Sequence, residues 1–336
     1  MFKIQKNNVF IVRTPLQAFN AVEANFRFCY KQNNYIIIIY RNNQDKKMIE
    51  NIILLDDWFK IIFIKLKPQI KLFNLFFHLQ SEINNIEFCF IGDHSTIISY
   101  YINRIKYKNL ILLEDGTATI RRVELIEKRI FHIIKKTKYS KKSSFQVFFE
   151  KLFRVDIQYY YNARFFTIYN LNDKINFIKN DYRYFKKRIN KLEIQESVFF
   201  IGSEIKNTIL LNEKIFEKYI ADIVTIYAQR NLEFYYILHR KESEEYIKLL
   251  SKKYNFKYLK FNNIIEIEFL NLNFIPSEIS TFLSTAITTL SKLYPSNYKY
   301  YPLLQNDLND KYKEPIKNLY IQFKKEGIET LERESR

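Results

Sequence analysis

Leu110-Ile111-Leu112-Leu113-Glu114-Asp115-Gly116-Thr117 decides the fold. Four apolar residues without alternation read as a strand buried on both faces, the mark of a parallel sheet. Two carboxylates and a glycine follow at the carboxyl end, where open α/β sheets place their ligands. A carboxylate there suits removal of a proton from a bound hydroxyl. The plainer reading is a solvated acidic turn, and the rest of the chain must decide between them.

Upstream, strands and helices alternate. Val9 to Val12, Tyr35 to Tyr40, Ile61 to Leu66 and Glu87 to Ile91 read as strands. Between them, helices are predicted over Pro15–Phe28, Lys46–Leu55 and Lys71–Ile83, with Thr96–Ile105 before the last strand. Thr14 suits the N-cap of the first helix and Pro15 its first turn. Leu72, Leu75, Phe76 and Leu79 repeat at helical spacing in the third. Arg121 to Lys191 is basic and aromatic with poor periodicity, and reads as remaining helices followed by a connection.

Downstream the rhythm restarts. Val198–Ile201, Phe234–Leu238, Tyr258–Phe261 and Ile279–Leu283 read as strands. Helices are predicted over Leu210–Arg230 and Glu242–Tyr254, from Ile265, and over Thr285–Leu293, with a last amphipathic helix over Pro315–Glu332. The expected organisation is an N-terminal Rossmann-like domain over 1–190, a second over 191–310, and a C-terminal helix over 311–336. Two such halves are expected to face each other across a cleft.

The bulk properties narrow the function. There are 336 residues, enough for two domains, and 47% are hydrophobic. Fifty-four basic against 36 acidic residues leave a net charge of +18. That favours a polyanionic neighbour such as a nucleotide donor, a phosphorylated glycolipid or the anionic inner membrane face. Small clusters at Lys135-Lys136, Lys141-Lys142, Lys186-Lys187-Arg188 and Lys324-Lys325 read as solvated faces, and none is a dense nucleic-acid-binding tail. Cys29 and Cys89 lie in apolar context without a CxxC partner and read as buried thiols. The histidines, His78, His94, His132 and His239, show no metal-ligand spacing, and no Asp-x-Asp motif ends a strand. No metal and no cofactor are therefore expected. The opening residues lack a signal-peptide core and no run spans a membrane, so a cytoplasmic chain with peripheral membrane contact is expected.

Several strand ends carry chemistry. Thr14 and Gln17 after the first strand fit either a cleft-facing pair or a Thr-x-x-Gln capping box. Gly202-Ser203-Glu204 ends the first downstream strand, where the glycine permits close backbone approach. His239 follows the next strand, with Arg240 and Lys241 adding positive potential for an anionic leaving group. Ser284 and Thr285 sit where a strand runs into a helix, a place that binds phosphate, although plain N-capping by Ser284 reads as well. Glu266 opens a helix, and is placed either for ribose hydroxyls or as a first-turn acid, with Glu268 as the bland comparison.

Taken in order, Arg13-Thr14-Pro15-Leu16-Gln17, Glu114-Asp115-Gly116, Gly202-Ser203, His239, Glu266 and Phe282-Leu283-Ser284-Thr285-Ala286 resemble the bacterial lipooligosaccharide sialyltransferases (glycosyltransferase family 52). The related bacterial polysialyltransferases stand close by. The resemblance spans about residues 8 to 300, and the ordered set carries it rather than any one motif. It implies a GT-B fold and metal-independent, inverting transfer of sialic acid from CMP-sialic acid to a sugar hydroxyl. On that resemblance Asp115 is the base, with Glu204 in reserve, and His239 is catalytic. Ser284, Thr285, Glu266, Ser203, Gly202 and Arg240 serve the donor, and Thr14, Gln17, Glu114 and Gly116 the acceptor side. The chain departs from the family pattern at Arg240, which stands where the family has proline. That departure leaves open another nonulosonic or hexose donor, or polysialic acid synthesis. A basic protein that binds nucleic acid or membrane without catalysis is the reading from another class.

Overall fold

Seven parallel strands order the first sheet: β1 (Asn7–Val12), β2 (Asn33–Tyr40), β3 (Lys60–Lys65), β4 (Ile86–Ile91), β5 (Tyr107–Leu113), β6 (Arg164–Thr167) and β7 (Phe177–Lys179). Their spatial order is β3-β2-β1-β4-β5-β6-β7. The structure, a computed structural model, describes residues 6–67, 69–93, 96–128, 159–206 and 208–332. His94, His132 and the pairs Lys135-Lys136 and Lys141-Lys142 lie outside the described residues.

Apolar runs make this sheet. Phe10, Val12, Ile36, Ile38 and Phe90 are buried on one face, and Val9, Ile11, Ile37, Cys89 and Ile91 on the other. Burial on both faces requires cover on both, which right-handed β-α-β crossovers supply. The first helices are α1 (Pro15–Phe28), α2 (Asn43–Ile53), α3 (Gln69–Glu82), α4 (Thr96–Ile102) and α5 (Thr117–Glu127). Among the described residues a short α6 (Tyr159–Asn162) precedes β6, and α7 (Arg183–Ile189) follows β7. The aromatic core includes Phe10 stacked on Phe90 at 4.2 Å, with Trp58 edge-on to Phe10 at 5.0 Å. Cys29 and Cys89 are both buried, and burial pushes their thiols well above the usual range.

The second sheet repeats the plan with β8 (Glu193–Ile201), β9 (Glu233–Leu238), β10 (Lys257–Lys260), β11 (Phe274–Thr281), β12 (Asn297–Tyr300) and β13 (Glu329–Thr330). Its order is β10-β9-β8-β11-β12-β13, again all parallel. The helices are α8 (Glu213–Gln229), α9 (Glu244–Tyr254), α10 (Ile265–Leu270), α11 (Ala286–Leu293) and α12 (Asp310–Lys325). Both sheets thus have the doubly wound order 3-2-1-4-5-6, with β7 added to the first. The order reverses between β1 and β4 in one sheet and between β8 and β11 in the other. In sheets of this order, ligands bind outside the carboxyl ends of the strands at that point.

Three expectations need correction. The stretch from Arg121 to Lys191 holds β6 and β7 as well as helices, because strands of four and three residues leave no readable period. The last helix begins at Asp310 rather than Pro315 and ends at Lys325. Beyond it Gly327, at φ +80°, turns the chain into β13, which pairs with β12. Pro315 lies inside the helix instead of opening it. The chain divides into compact units Met1–Tyr184 and Phe185–Arg336, earlier than the break expected at 190. Tyr182 and Tyr184 close the first unit. The Tyr182 hydroxyl donates to Asn20 Oδ1 at 3.1 Å, and the Tyr184 N–H donates to Glu23 Oε1 at 3.0 Å, so both residues are tied to α1.

Candidate functional site

In the first unit, side chains gather where β1, β4 and β5 end. Alternation along β5 sends its two terminal acids opposite ways. Glu114 turns inward and is fully buried. Its Oε2 accepts the Thr167 hydroxyl at 2.8 Å and the Ile168 N–H at 2.6 Å, which locks the end of β5 to the end of β6. It is therefore a structural carboxylate and not the acceptor-facing group expected from sequence. Asp115 turns outward, with a fifth of its side chain exposed. Its Oδ1 accepts the Thr14 hydroxyl at 3.2 Å, and its Oδ2 accepts Arg122 Nη2 at 2.9 Å. Gly116, at φ +61° and ψ −141°, makes the turn into α5, a conformation that L side chains resist.

Thr14 does two jobs. Its Oγ1 accepts the Gln17 N–H at 3.2 Å, the expected N-cap, and donates to Asp115. Gln17 reaches back, but its Oε1 accepts the Arg13 N–H at 2.8 Å, one residue before the usual capping-box donor. Gln17 is buried, so of the two residues expected to face outward only Thr14 engages Asp115. Sequence reasoning gave no role to Arg122 and Asp93. Arg122, on the helix that directly follows Gly116, also donates to the Gly92 carbonyl at 3.0 Å, bridging the β4 and β5 ends. Asp93, soon after β4, pairs with Arg13. An acid soon after an apolar strand was the available signal for Asp93; Arg122 had none.

In the second unit, the ends of β8 and β9 meet. The Gly202 N–H donates to the Ile237 carbonyl at 2.8 Å, continuing the β8–β9 ladder past the strand. Ser203 is buried, and its hydroxyl has no partner among the described residues. Glu204 is a third exposed and pairs with Lys241 at 3.0 Å. His239 is half-buried, and its Nδ1 accepts the Lys241 N–H at 3.3 Å, which leaves the proton of the neutral ring on Nε2. Burial first, and the neighbouring Arg240 and Lys241, hold this imidazole below the usual histidine range against the opposing pull of Glu204. Arg240 itself is exposed.

Where β11 meets α11, Thr281 closes the turn before the helix, and the cap expected of Ser284 is not made. Thr281 Oγ1 accepts the Ser284 N–H at 3.0 Å. Thr285 occupies the N-cap position but makes no side-chain cap, and neither the Ser284 nor the Thr285 hydroxyl has a partner among the described residues. Two free hydroxyls beside the first turn of an eight-residue helix can donate to an anion together with the open backbone N–H groups. Glu266 is buried at the start of α10, where burial lifts its carboxyl to about 7. Glu268 instead caps its own loop, accepting the Asn262 N–H at 2.9 Å and the Asn263 N–H at 2.6 Å.

Glu242 is the acid that sequence reasoning passed over as a helix start. The Tyr236 hydroxyl donates to its Oε1 and the His239 N–H to its Oε2, both at 2.7 Å. Burial lifts its carboxyl to about 7, against the pull of those two hydrogen bonds. Among the described residues no group of three His, Cys, Asp or Glu side chains could hold a metal ion, and no helix is long and apolar enough to cross a membrane.

No family model and no curated protein sequence matches the chain. Solved structures do. The α/β-galactoside α-2,3-sialyltransferase of Photobacterium phosphoreum aligns with a TM-score of 0.55 at 13% identity, over 98% of this chain and 99% of that one. The Escherichia coli heptosyltransferase WaaC aligns at 0.48 and 9% identity, over 94% and 99%. The UDP-GlcNAc 2-epimerase of Neisseria meningitidis aligns at 0.45 and 11% identity, over 95% and 90%. At such identities the likeness speaks to fold alone, and among these three only the first score carries weight. The fold is α/β of the GT-B type, with two helix-covered parallel sheets.

Proposed function

We propose that this chain is an inverting glycosyltransferase that moves sialic acid from CMP-sialic acid to a sugar hydroxyl, a galactose of a bacterial lipooligosaccharide or capsule, without a metal ion. The observation that carries the reading is Asp115, an outward carboxylate at a strand's carboxyl end, held from both sides by Thr14 and Arg122. Each of its oxygens accepts one hydrogen bond and keeps a lone pair. In this reading Asp115 accepts the proton of the acceptor hydroxyl as that oxygen attacks the anomeric carbon, a contribution of about 10²–10⁴-fold.

The second unit serves the donor. Negative charge develops on the departing phosphate, and fixed donors aimed at such charge supply the largest part of catalysis. Ser284, Thr285 and the N–H groups of α11 are such donors, and the neutral His239 ring offers its Nε2–H. Arg240 adds positive charge, and Glu266, Gly202 and Ser203 complete the nucleotide side. Glu204 is the alternative base; its bond to Lys241 is a partly exposed ion pair of the kind that yields at little cost. A net charge of +18 supports action at the anionic inner membrane face. Arg240, in place of the family's proline, favours as second reading the same chemistry on another nonulosonic or hexose donor, or on polysialic acid.

The test is CMP release from CMP-sialic acid, with and without galactosides. Asp115→Asn and His239→Gln should each lower turnover at least about a hundredfold with circular dichroism unchanged. Glu204→Gln should leave it within about threefold if Asp115 is the base. Absence of CMP release under all donor and acceptor conditions sinks the proposal.

A further inference from the structure

Two stretches far apart in sequence, Gly202-Ser203 and His239-Arg240-Lys241, are joined by Glu242. Its carboxylate accepts the Tyr236 hydroxyl and the His239 N–H at 2.7 Å each, and its own N–H donates to the His239 carbonyl at 2.9 Å. The backbone N–H of Ser203 in turn donates to the Tyr236 hydroxyl. Gly202 lies directly against the acid. A Cβ there would stand 2.4 Å from Glu242 Oε2 and 2.8 Å from both Tyr236 Oη and the Ile237 carbonyl. Glycine is thus required at 202, because the carboxylate, the Tyr236 hydroxyl and the Ile237 carbonyl together occupy the space of a side chain.

Helix capping does not account for this. Helix α9 already has its cap, since Ser243 Oγ accepts the Tyr246 N–H at 3.3 Å. A half-buried acid that gains nothing from the helix, yet fills the space beside a glycine on a neighbouring strand end, holds those ends together.

We infer that Glu242 is a positioning residue: it clasps the Gly202-Ser203 turn to the His239 loop and so fixes the tautomer of the His239 imidazole. By capturing both the N–H and the carbonyl of His239 it closes a tight turn. That turn is what brings the Lys241 N–H to His239 Nδ1 at 3.3 Å and leaves the proton on Nε2. The inference bears on transfer only through the proposed role of His239, but the geometry it describes exists without substrate.

The experiment is therefore substrate-free. Long-range nitrogen–proton spectra of the full chain, with His239 assigned by its loss in His239→Gln, report which ring nitrogen is protonated. The groups facing the ring are Glu204, Arg240 and Lys241, with Glu242 beneath its backbone. The native chain should show the Nε2–H form alone. In Glu242→Ala the Tyr236 hydroxyl and the His239 N–H both lose their acceptor. The turn then opens, and the Nδ1–H form should rise to about a third or more of the neutral ring. Gly202→Ala, whose Cβ crowds Glu242 Oε2, Tyr236 Oη and the Ile237 carbonyl together, should produce the same mixture, and the two changes together should add nothing further. Cooperative thermal unfolding identifies the folded variants, and Tyr236→Phe supplies a third should the first two fail to fold. A folded variant that keeps the single Nε2–H form overturns the inference. If the native chain releases no CMP, the proposed function falls while the spectra still decide this point.

Discussion

At the scale of the residue, neighbours in sequence part company in space. Glu114 and Asp115 read as one acidic pair, yet only Asp115 reaches solvent, because Glu114 is spent on the end of β6. The pair was legible; its division was not, since β6 is too short and too aromatic to be read from sequence. Replacing Glu114 by Leu would leave the Thr167 hydroxyl and the Ile168 N–H, both buried, without their acceptor. A loss of about 1–3 kcal/mol is expected from urea unfolding, and Asp115→Asn, in the more open position, should lose under about 1 kcal/mol. Equal losses would contradict the assignment of one acid to structure and the other to chemistry. Thr14 tests the same neighbourhood. Thr14→Val removes both the α1 cap and the hydroxyl held to Asp115, for about 1 kcal/mol of stability. Thr14→Ser should restore both. Glu242 was missed for a reason of the same kind: an acid just ahead of a capped helix is ordinary in sequence, and its partners, Tyr236 and Gly202, are brought to it only by the β8–β9 pairing.

At the scale of the element, the strands that were legible are those with continuous apolar runs, and α1 matches its predicted span because Thr14 and Pro15 mark its start. The central strand β11 was legible only in part. It begins at Phe274, contains Pro276, and buries Glu278; the proline and the acid argue against a strand when read alone. The register with β8 shifts between Pro276 and Glu278, the irregularity that admits a proline into a central strand. Glu278 is held by Arg230 at 2.6 Å, Tyr227 at 2.7 Å and Lys299 at 3.2 Å, a clamp across α8, β11 and β12. Burial raises this carboxyl, but Arg230, Tyr227 and Lys299 outweigh it and hold it below the usual range. Its contribution is therefore present above about pH 4.5 and lost as pH falls. Glu266 has the opposite sign. Its unfolded carboxyl releases a proton near 4.5 and its folded one near 7, so between those values the native state keeps a proton that the unfolded chain has given up. Stability must fall as pH rises through that window and level off above it. Urea midpoints of Glu266→Gln and the native chain should thus diverge in favour of the variant between about pH 5 and 8, by on the order of a few kcal/mol. A constant gap would mean that Glu266 does not titrate in that range. Glu242, lifted for the same reason, leaves the variant a residual slope.

At the scale of the whole molecule, the alternation of strands and helices announced two parallel sheets, and the shared order 3-2-1-4-5-6 follows from right-handed crossovers wound first one way and then the other. That order puts every residue with a proposed role at a carboxyl edge, Asp115 on one sheet and His239, Ser203 and Ser284 on the other. The proposed division of labour has a consequence that does not depend on turnover. A nucleotide should protect the second unit's edge and leave the first unit's unchanged. With CMP at about a hundredfold over its dissociation constant, native-state stabilisation of roughly 2.7 kcal/mol is expected. Hydrogen exchange should then slow at residues 202–205, 239–242 and 284–288, and stay as before at 13–17 and 114–119. CMP should act more strongly than UDP or GDP if the donor is CMP-linked, and UDP or GDP more strongly if another hexose donor is used. A chain whose charge of +18 served nucleic acid instead would show none of this selectivity. It would bind oligonucleotides with an affinity that falls steeply with salt, because counterion release governs such binding. Protection by CMP confined to the first unit would contradict the assignment of donor binding to the second, even if CMP were released from the donor in the transfer assay.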